Sequence, residues 1–251
     1  MGVPRSDRVR RRWRMRYVGI TGFMSRGEVD ACLAALPEGL TLMCGVLVSA
    51  KTLRGERNKW WQRYPPPFAA RSIFSDDPRC LNLIHYSASE APDAATVSAL
   101  QSCGGEHCHG FQFNGVYPEP STLAALAGGH VVLQVRPDGK AAMDRLRSAV
   151  RALCNCEVHV LIDASGGRGL PINEDVCDAW AMTIRGHFGN DVHLGFAGGL
   201  DADGLPRIAS EVRTWGASID AEGRLRDGDE GGTLNLDKAR AYLAAAGEVF
   251  R

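Results

Sequence analysis

Residues 157–163 have the sequence Glu-Val-His-Val-Leu-Ile-Asp, a short apolar run that ends on an acidic side chain. Short, nearly continuous apolar runs are typical of parallel strands that are buried on both faces. Similar runs recur along the whole chain. The sequence predicts eight strands in all, at residues 16–20, 41–48, 81–86, 109–114, 130–135, 157–163, 191–197 and 216–220.

Segments with helical spacing separate these strands. Ser25 and Glu28 form a capping-box pattern that predicts the start of the first helix. Ser121 is expected to cap a helix that begins at Thr122. Further helical spacing occurs in the second half of the chain, at residues 141–153, 174–188, 203–214 and 237–249.

Strands that alternate with helices predict a parallel sheet with right-handed crossovers. Eight such units in 251 residues favour closure into a (β/α)8 TIM barrel, an α/β fold that needs roughly 250 residues. No GxGxxG pattern follows the first strand, which weakens the alternative of a dinucleotide-binding sheet. We therefore predict one barrel domain over residues 16–251.

Composition restricts the function classes. The chain has 29 basic and 29 acidic residues, so its zero net charge weighs against nucleic acid as a partner. No apolar run approaches the ~20 residues of a membrane helix. The eight cysteines are interpreted as reduced thiols of a cytoplasmic protein. The partner expected is a small-molecule substrate, with no membrane and no cofactor, and a homodimer stays open.

The N-terminal residues 1–15 are predicted to form a disordered basic tail. Seven of the first sixteen residues are arginine, and no apolar segment of a secretory signal follows them. A tail without function is favoured over an arm that contacts nucleic acid. A third interpretation is a natural start at Met15, directly before the first apolar run.

A long loop follows the second predicted strand. Residues 52–79 include Trp60, Trp61, Tyr64 and three consecutive prolines. Long loops at a barrel mouth often act as lids, and the two tryptophans could stack on a planar substrate. The alternative is that this loop packs against the barrel and has only a structural role.

Polar side chains follow the predicted strands at their C-terminal ends, where TIM-barrel active sites lie. Asp163 ends an apolar strand that is expected to be buried. Burial would raise the pKa of its carboxyl group, which makes Asp163 a candidate general acid. Gly166-Gly167 and Gly198-Gly199 would let the backbone approach a ligand. The other candidates at strand ends are Lys51, Arg54, His85, Gln112, Asn114, Gln134, Asp220 and Glu222.

A cluster of possible metal ligands precedes the fourth strand, formed by Cys103, His107, Cys108 and His109. It would lie at the N-terminal ends of the strands, the end of a TIM barrel that contributes to stability and not to catalysis. Strand alternation would also point neighbouring side chains apart. No metal site is predicted.

Five segments share their order and spacing with one enzyme family. They are 16–21 (Arg-Tyr-Val-Gly-Ile-Thr), 45–54 (Gly-Val-Leu-Val-Ser-Ala-Lys-Thr-Leu-Arg), 111–115 (Phe-Gln-Phe-Asn-Gly), 162–169 (Ile-Asp with Gly-Gly-Arg-Gly) and 196–200 (Phe-Ala-Gly-Gly-Leu). Together they resemble phosphoribosylanthranilate isomerase.

The resemblance implies an Amadori rearrangement of an aminoaldose phosphate to an aminoketose. It implies that Asp163 is the general acid and that Arg54 holds an aromatic carboxylate. The family's general base, a cysteine on the first strand, corresponds to Val18. Its strand-8 phosphate loop corresponds to residues 220–222, where Asp220 and Glu222 would repel a phosphate.

The leading hypothesis is an isomerase-type acid–base enzyme whose substrate, a small sugar-like or carboxylated metabolite, is altered from that of the family. Asp163 is the acid, His85 the replacement base, and Lys51 and Arg54 hold anions. The remaining candidates bind substrate, and Asp220 with Glu222 would bind hydroxyls, amines or a divalent cation. The alternatives are an aldolase or lyase that uses Lys51 as a Schiff-base nucleophile, and a non-catalytic barrel that binds a metabolite.

Overall fold

The computed structural model describes residues 16–126, 128–165, 171–228 and 232–251. Eight parallel strands form a closed barrel in sequence order, and β1 pairs with β8 to complete it. This confirms the predicted (β/α)8 TIM barrel. The strands are β1 Tyr17–Thr21, β2 Thr41–Val48, β3 Cys80–Tyr86, β4 Gly110–Asn114, β5 His130–Val135, β6 Glu157–Asp163, β7 His193–Ala197 and β8 Ser218–Ala221.

Helices lie between the strands. They are α1 Arg26–Ala35, α2 Ala50–Leu53, α3 Ala70–Ile73, α4 Ala94–Gly104, α5 Pro120–Ala124, α6 Lys140–Ala152, α7 Glu174–Phe188, α8 Ala209–Trp215 and α9 Leu236–Val249. Three short 3-10 turns, Trp61–Arg63, Leu205–Ile208 and Gly223–Leu225, complete the described elements. Within the described ranges, no helix has the length and apolarity that crossing a membrane requires.

Two of the predicted helix starts have different outcomes. Ser25 caps α1 as expected, with a reciprocal hydrogen-bonded capping box to Glu28. The start predicted at Thr122 is wrong, because α5 already begins at Pro120 after Glu119. Proline suits the first position of a helix, since its fixed φ is helical and the missing N–H has no partner there.

The strands bury both faces, which explains their continuous apolar sequences. Outward side chains pack against the helices in the main core. Inward side chains form a second apolar cluster, which includes Tyr17, Met43, Leu83, Val132 and Leu161. Successive strand residues alternate between the inner and outer faces. Because the apolar cluster fills the middle of the barrel, inward polar side chains lie near one of its two ends.

The connection from β2 to β3 is long, as predicted, and contains α2, the turn Trp61–Arg63 and α3. All eight cysteines are free thiols. The tail predicted at residues 1–15 lies outside the described residues.

Candidate active site

A cavity of about 280 Å³ opens at the C-terminal ends of the strands. Most of the predicted site residues line it, although they come from five different strands and the loops that follow them. These are Gln112, Asn114, Gln134, Asp163, Gly198, Gly199, Asp220 and Glu222. The barrel register therefore gathers polar side chains that lie up to 110 positions apart in sequence.

Three hydrogen bonds hold the carboxylate of Asp163 at the end of β6. The side-chain amide of Gln134 donates to Oδ2 over 2.6 Å. The backbone N–H and the hydroxyl of Ser165 donate to Oδ1 over 3.0 and 2.8 Å. These contacts fix the orientation of the buried carboxylate toward the cavity.

Gly198 allows the loop after β7 to approach that carboxylate. A Cβ at this position would lie 2.9 Å from Asp163 Oδ1 and 3.1 Å from the Ser165 side chain. Its φ of +111° is also a conformation that side chains disfavour. A glycine is therefore required here by both space and backbone geometry.

Asp220 is the second buried carboxyl group in the cavity. The strand register pairs Asp163 with Ala197 and Ala197 with Asp220. The two acids thus lie at the same level of the barrel, separated by one strand that presents a small side chain.

Burial raises the pKa of Asp220 to about 7, and the negative charge of Glu222 adds to this effect. The hydroxyl of Thr21, which donates to both carboxylate oxygens over 3.0 and 3.2 Å, opposes the rise only in part. Asp220 can therefore exchange a proton near neutral pH, which is what a general acid or base needs.

His85 lies behind this carboxyl group and does not line the cavity. Its side chain is fully buried, and burial lowers its pKa to about 3, so the imidazole is neutral at physiological pH. Nδ1 lies 3.1 Å from the Thr21 hydroxyl. Because that hydroxyl donates its proton to Asp220, His85 is the donor to Thr21. His85, Thr21 and Asp220, in this order, therefore form one chain of hydrogen bonds.

Lys51 and Arg54, both predicted to hold anions, lie outside the cavity. Ser49 caps the short helix α2, which turns the chain away from the barrel mouth directly after β2. Both side chains are exposed, and Arg54 forms an ion pair with Glu56 at 2.6 Å. The structure therefore does not bring them to Asp163.

Several cavity residues have no counterpart in the sequence-based prediction of the site. Arg63, Arg136, Arg224 and Ser165 all contribute to the lining. The long loop brings Arg63 across the mouth, where its guanidinium contacts the Glu222 carboxylate at 2.6 Å. Arg63 lies within the long loop, far from a strand end, so the sequence carried no signal for it.

The long loop does contribute to the site, but not through its tryptophans. Tyr64 lines the cavity, whereas Trp60 and Trp61 do not. Trp60 packs against Lys59 and Arg63, and Trp61 is 47% exposed beneath Arg57. Stacking of these rings on a substrate is not favoured by this placement.

A second cavity of about 290 Å³ adjoins the first at the ends of β4 and β5. Asn114, Gln134 and Arg136 line both cavities. Within the described ranges, Arg136 has no ion-pair partner. This guanidinium is therefore available to an anionic group of a ligand that occupies the mouth.

The first-strand position that the resemblance matches with a catalytic cysteine does not face the cavity. Val18 is fully buried in the core between the barrel and the helices. The inward positions nearer the mouth are Gly19, where a Cβ would lie 2.7 Å from an Asp220 oxygen, and Thr21. The expectation that Val18 occupies the place of a base is therefore corrected, because strand alternation points it outward.

The remaining predicted residues have two outcomes. Gly166 and Gly167 lie outside the described residues. Among the Cys103, His107, Cys108 and His109 cluster, Cys108 donates to the Gly110 carbonyl and His109 accepts from the Asn82 N–H. These side chains do not form a metal-ligand group in the part of the chain that the structure describes.

Comparison with solved structures agrees with the barrel. The fold resembles that of phosphoribosylanthranilate isomerase. A crystal structure of that enzyme in complex with reduced 1-(O-carboxyphenylamino)-1-deoxyribulose 5-phosphate aligns with a TM-score of 0.61. It covers 93% of this chain and 100% of the other, at 15% sequence identity, which shows the fold alone. No protein-family model matches the chain, and no curated protein sequence does.

Proposed function

We propose that this protein is an isomerase-type enzyme that transfers protons on a small sugar-like or carboxylated metabolite. The observation that carries the proposal is the placement of Asp163 and Asp220 at one level of the barrel, facing one cavity. Two carboxyl groups in different environments can divide the roles of acid and base.

The proposed step moves a proton between neighbouring carbons. Asp163, in the protonated form that the resemblance implies for a general acid, protonates the carbonyl or ring oxygen of an open or opening aldose. Asp220, when ionised, takes the proton from the adjacent carbon, which gives an enediol. Asp220 returns this proton to the former carbonyl carbon, while the hydroxyl proton on the adjacent carbon passes back to Asp163 and restores the acid. The net change is an aldose-to-ketose isomerisation, so no external oxidant or reductant is needed.

The polar lining suits a hydroxylated substrate. Asn114 and Gln134 present amides beside Asp163, and Gln112 reaches both Asn114 and Asp220. Arg136 is placed to hold an anionic group where the two cavities meet. Arg63, by contrast, is neutralised by Glu222.

In this proposal His85 is a positioning residue and not the base itself. Through Thr21 it orients Asp220 without contact to the cavity. The proposed base is therefore Asp220. Lys51 lies on the exposed surface, so no contact favours a Schiff-base mechanism.

The experiment is proton exchange in D₂O, followed by NMR. Aldose phosphates, N-aryl aminoaldose phosphates and their unphosphorylated forms serve as probes, and loss of the proton signal next to the carbonyl reports the chemistry. We expect exchange with one class, and a decrease of at least about 100-fold in both Asp163→Asn and Asp220→Asn.

Asp191→Asn is the matched control, because Asp191 is exposed and precedes β7, at the opposite end of the barrel. Wild-type exchange in both cavity variants would contradict the proposal. Binding of a probe by the folded wild type, with no exchange in any class, would favour the non-catalytic metabolite-binding barrel.

A further inference from the structure

The N-terminal end of the barrel carries a cluster of histidines around a glutamate. His130 begins β5, Glu157 and His159 lie on β6, and His193 begins β7. Branched apolar side chains usually fill the interior of a TIM barrel. Here the register brings imidazole and carboxylate groups together at the end opposite the mouth cavity.

Two of the distances within the cluster are close to those between the ligands of one metal ion. His130 Nδ1 lies 3.3 Å from His159 Nε2 and 3.7 Å from Glu157 Oε2. Ligand atoms of a tetrahedral zinc ion, each about 2.0–2.1 Å from the metal, are separated by roughly 3.4 Å. One atom from each of the three residues lies within 4.8 Å of the others. In the described ranges this is the sole group of its kind.

The cluster is not explained by internal hydrogen bonding alone. His159 is 1% exposed, and its Nδ1 has no hydrogen-bond partner among the residues described. A buried polar atom without a partner is costly. A cation bound at Nε2, the ring nitrogen that faces His130 Nδ1, would add a favourable interaction to this buried ring.

We propose that His130, Glu157 and His159 form a Zn²⁺-binding site at the base of the barrel. Two imidazoles and one carboxylate are a donor set that zinc accepts, with water in the fourth position. The side chains of His130 and Glu157 are 14% and 17% exposed, so an ion and its water can enter from solvent.

His193 supports the site without being one of the three ligands. Its Nε2 lies 3.5 Å from Oε1 of Glu157, the oxygen that does not face His130. Its ring also stacks on His159, with 4.7 Å between the ring centroids. Residues that contact the ligands of a metal ion orient them, and His193 would do so for the Glu157 carboxylate and the His159 imidazole. The bound ion would tie β5 to β6.

The test is titration of the chelator-treated, full-length protein with Zn²⁺ alone, by calorimetry and by thermal unfolding. We expect one equivalent to bind and Tm to rise by about 5–10 °C at a Zn²⁺ concentration 100 times Kd. Glu157→Gln keeps the side-chain shape and should weaken binding at least tenfold. His159→Phe keeps a ring for packing and should also weaken binding at least tenfold.

His107→Gln is the matched control. His107 lies 3.7 Å from Glu106 on the surface, the same spacing as His130 and Glu157 but without a third ligand. Its substitution should leave Kd unchanged. The proposal is overturned if the wild type binds no stoichiometric Zn²⁺, if Glu157→Gln binds as tightly as wild type, or if only His107→Gln weakens binding. If His159→Phe does not fold, Glu157→Gln decides the outcome.

Discussion

The Thr21 hydroxyl lies 3.0 Å and 3.2 Å from the two carboxylate oxygens of Asp220, and it is also within 3.1 Å of the His85 ring. One threonine on β1 thus connects a carboxyl group on β8 with an imidazole on β3. A Cβ at Gly45 would meet both the His85 ring and the Thr21 hydroxyl within 2.8 Å, so a glycine on β2 makes room for this contact.

The pKa of Asp220 predicts a specific pH dependence of stability. A folded-state pKa of about 7, above the usual 3.8, favours the folded state at low pH, and this contribution is lost as pH rises from about 4 to 7. The difference corresponds to about 4 kcal/mol. Urea unfolding at pH 5 and pH 8.5 should therefore show that Asp220→Asn gains stability relative to wild type at the higher pH. Parallel pH curves for the two proteins would contradict this.

The contact between Arg63 and Glu222 predicts coupling of the long loop to the barrel mouth. The two side chains are only 18% and 31% exposed, so water screens the ion pair incompletely. Replacing Arg63 with Met or Glu222 with Gln should expose the loop to limited proteolysis. A double-mutant cycle in urea should give a coupling free energy of about 1 kcal/mol. Additive effects would show that the loop is held by other contacts.

Gly198→Ala should both destabilise the protein and displace Asp163. The new Cβ would approach Asp163 Oδ1 within 2.9 Å at a φ of +111°. We expect a loss of about 3 kcal/mol in unfolding free energy, from clash and backbone strain together. Gly189→Ala is the control, since its φ is +56° but nothing lies within 4 Å of a Cβ there. Its cost should be about 1 kcal/mol. Equal costs at the two positions would contradict the close approach.

Arg226 should be a major contributor to stability, because it is a buried arginine that fastens β1 to the loop after β8. It donates to the carbonyls of Thr21, Gly22 and Gly232 at 2.8–3.1 Å, and burial lowers its pKa. Arg226→Met should cost about 3 kcal/mol in urea unfolding, since charged hydrogen bonds are lost and carbonyls are left without partners. Arg240→Met, at an exposed position of α9, should have little effect, and a similar loss there would argue against this role.

Much of the candidate site could be predicted from sequence because the fold restricts where chemistry can lie. Once eight βα units are identified, the ends of the strands share one face, and Asp163, Gln112 and Asp220 can be assigned to it. Lys51 and Arg54 follow a strand end too, yet Ser49 starts a helical turn that leads them into solvent. Proximity in sequence to a strand end does not fix the direction of a side chain in the loop.

The sequence by itself determined the barrel, since continuous apolar strands and amphipathic helices can bury their surfaces together in this arrangement. Only the tertiary structure decided which groups meet. The hydrogen bonds of Thr21 with His85 and Asp220 connect three strands. The ion pair of Arg63 with Glu222 spans the mouth of the barrel. Likewise, the histidine cluster at the base is invisible in sequence, because its members lie on three strands that only closure and register bring within a few ångströms.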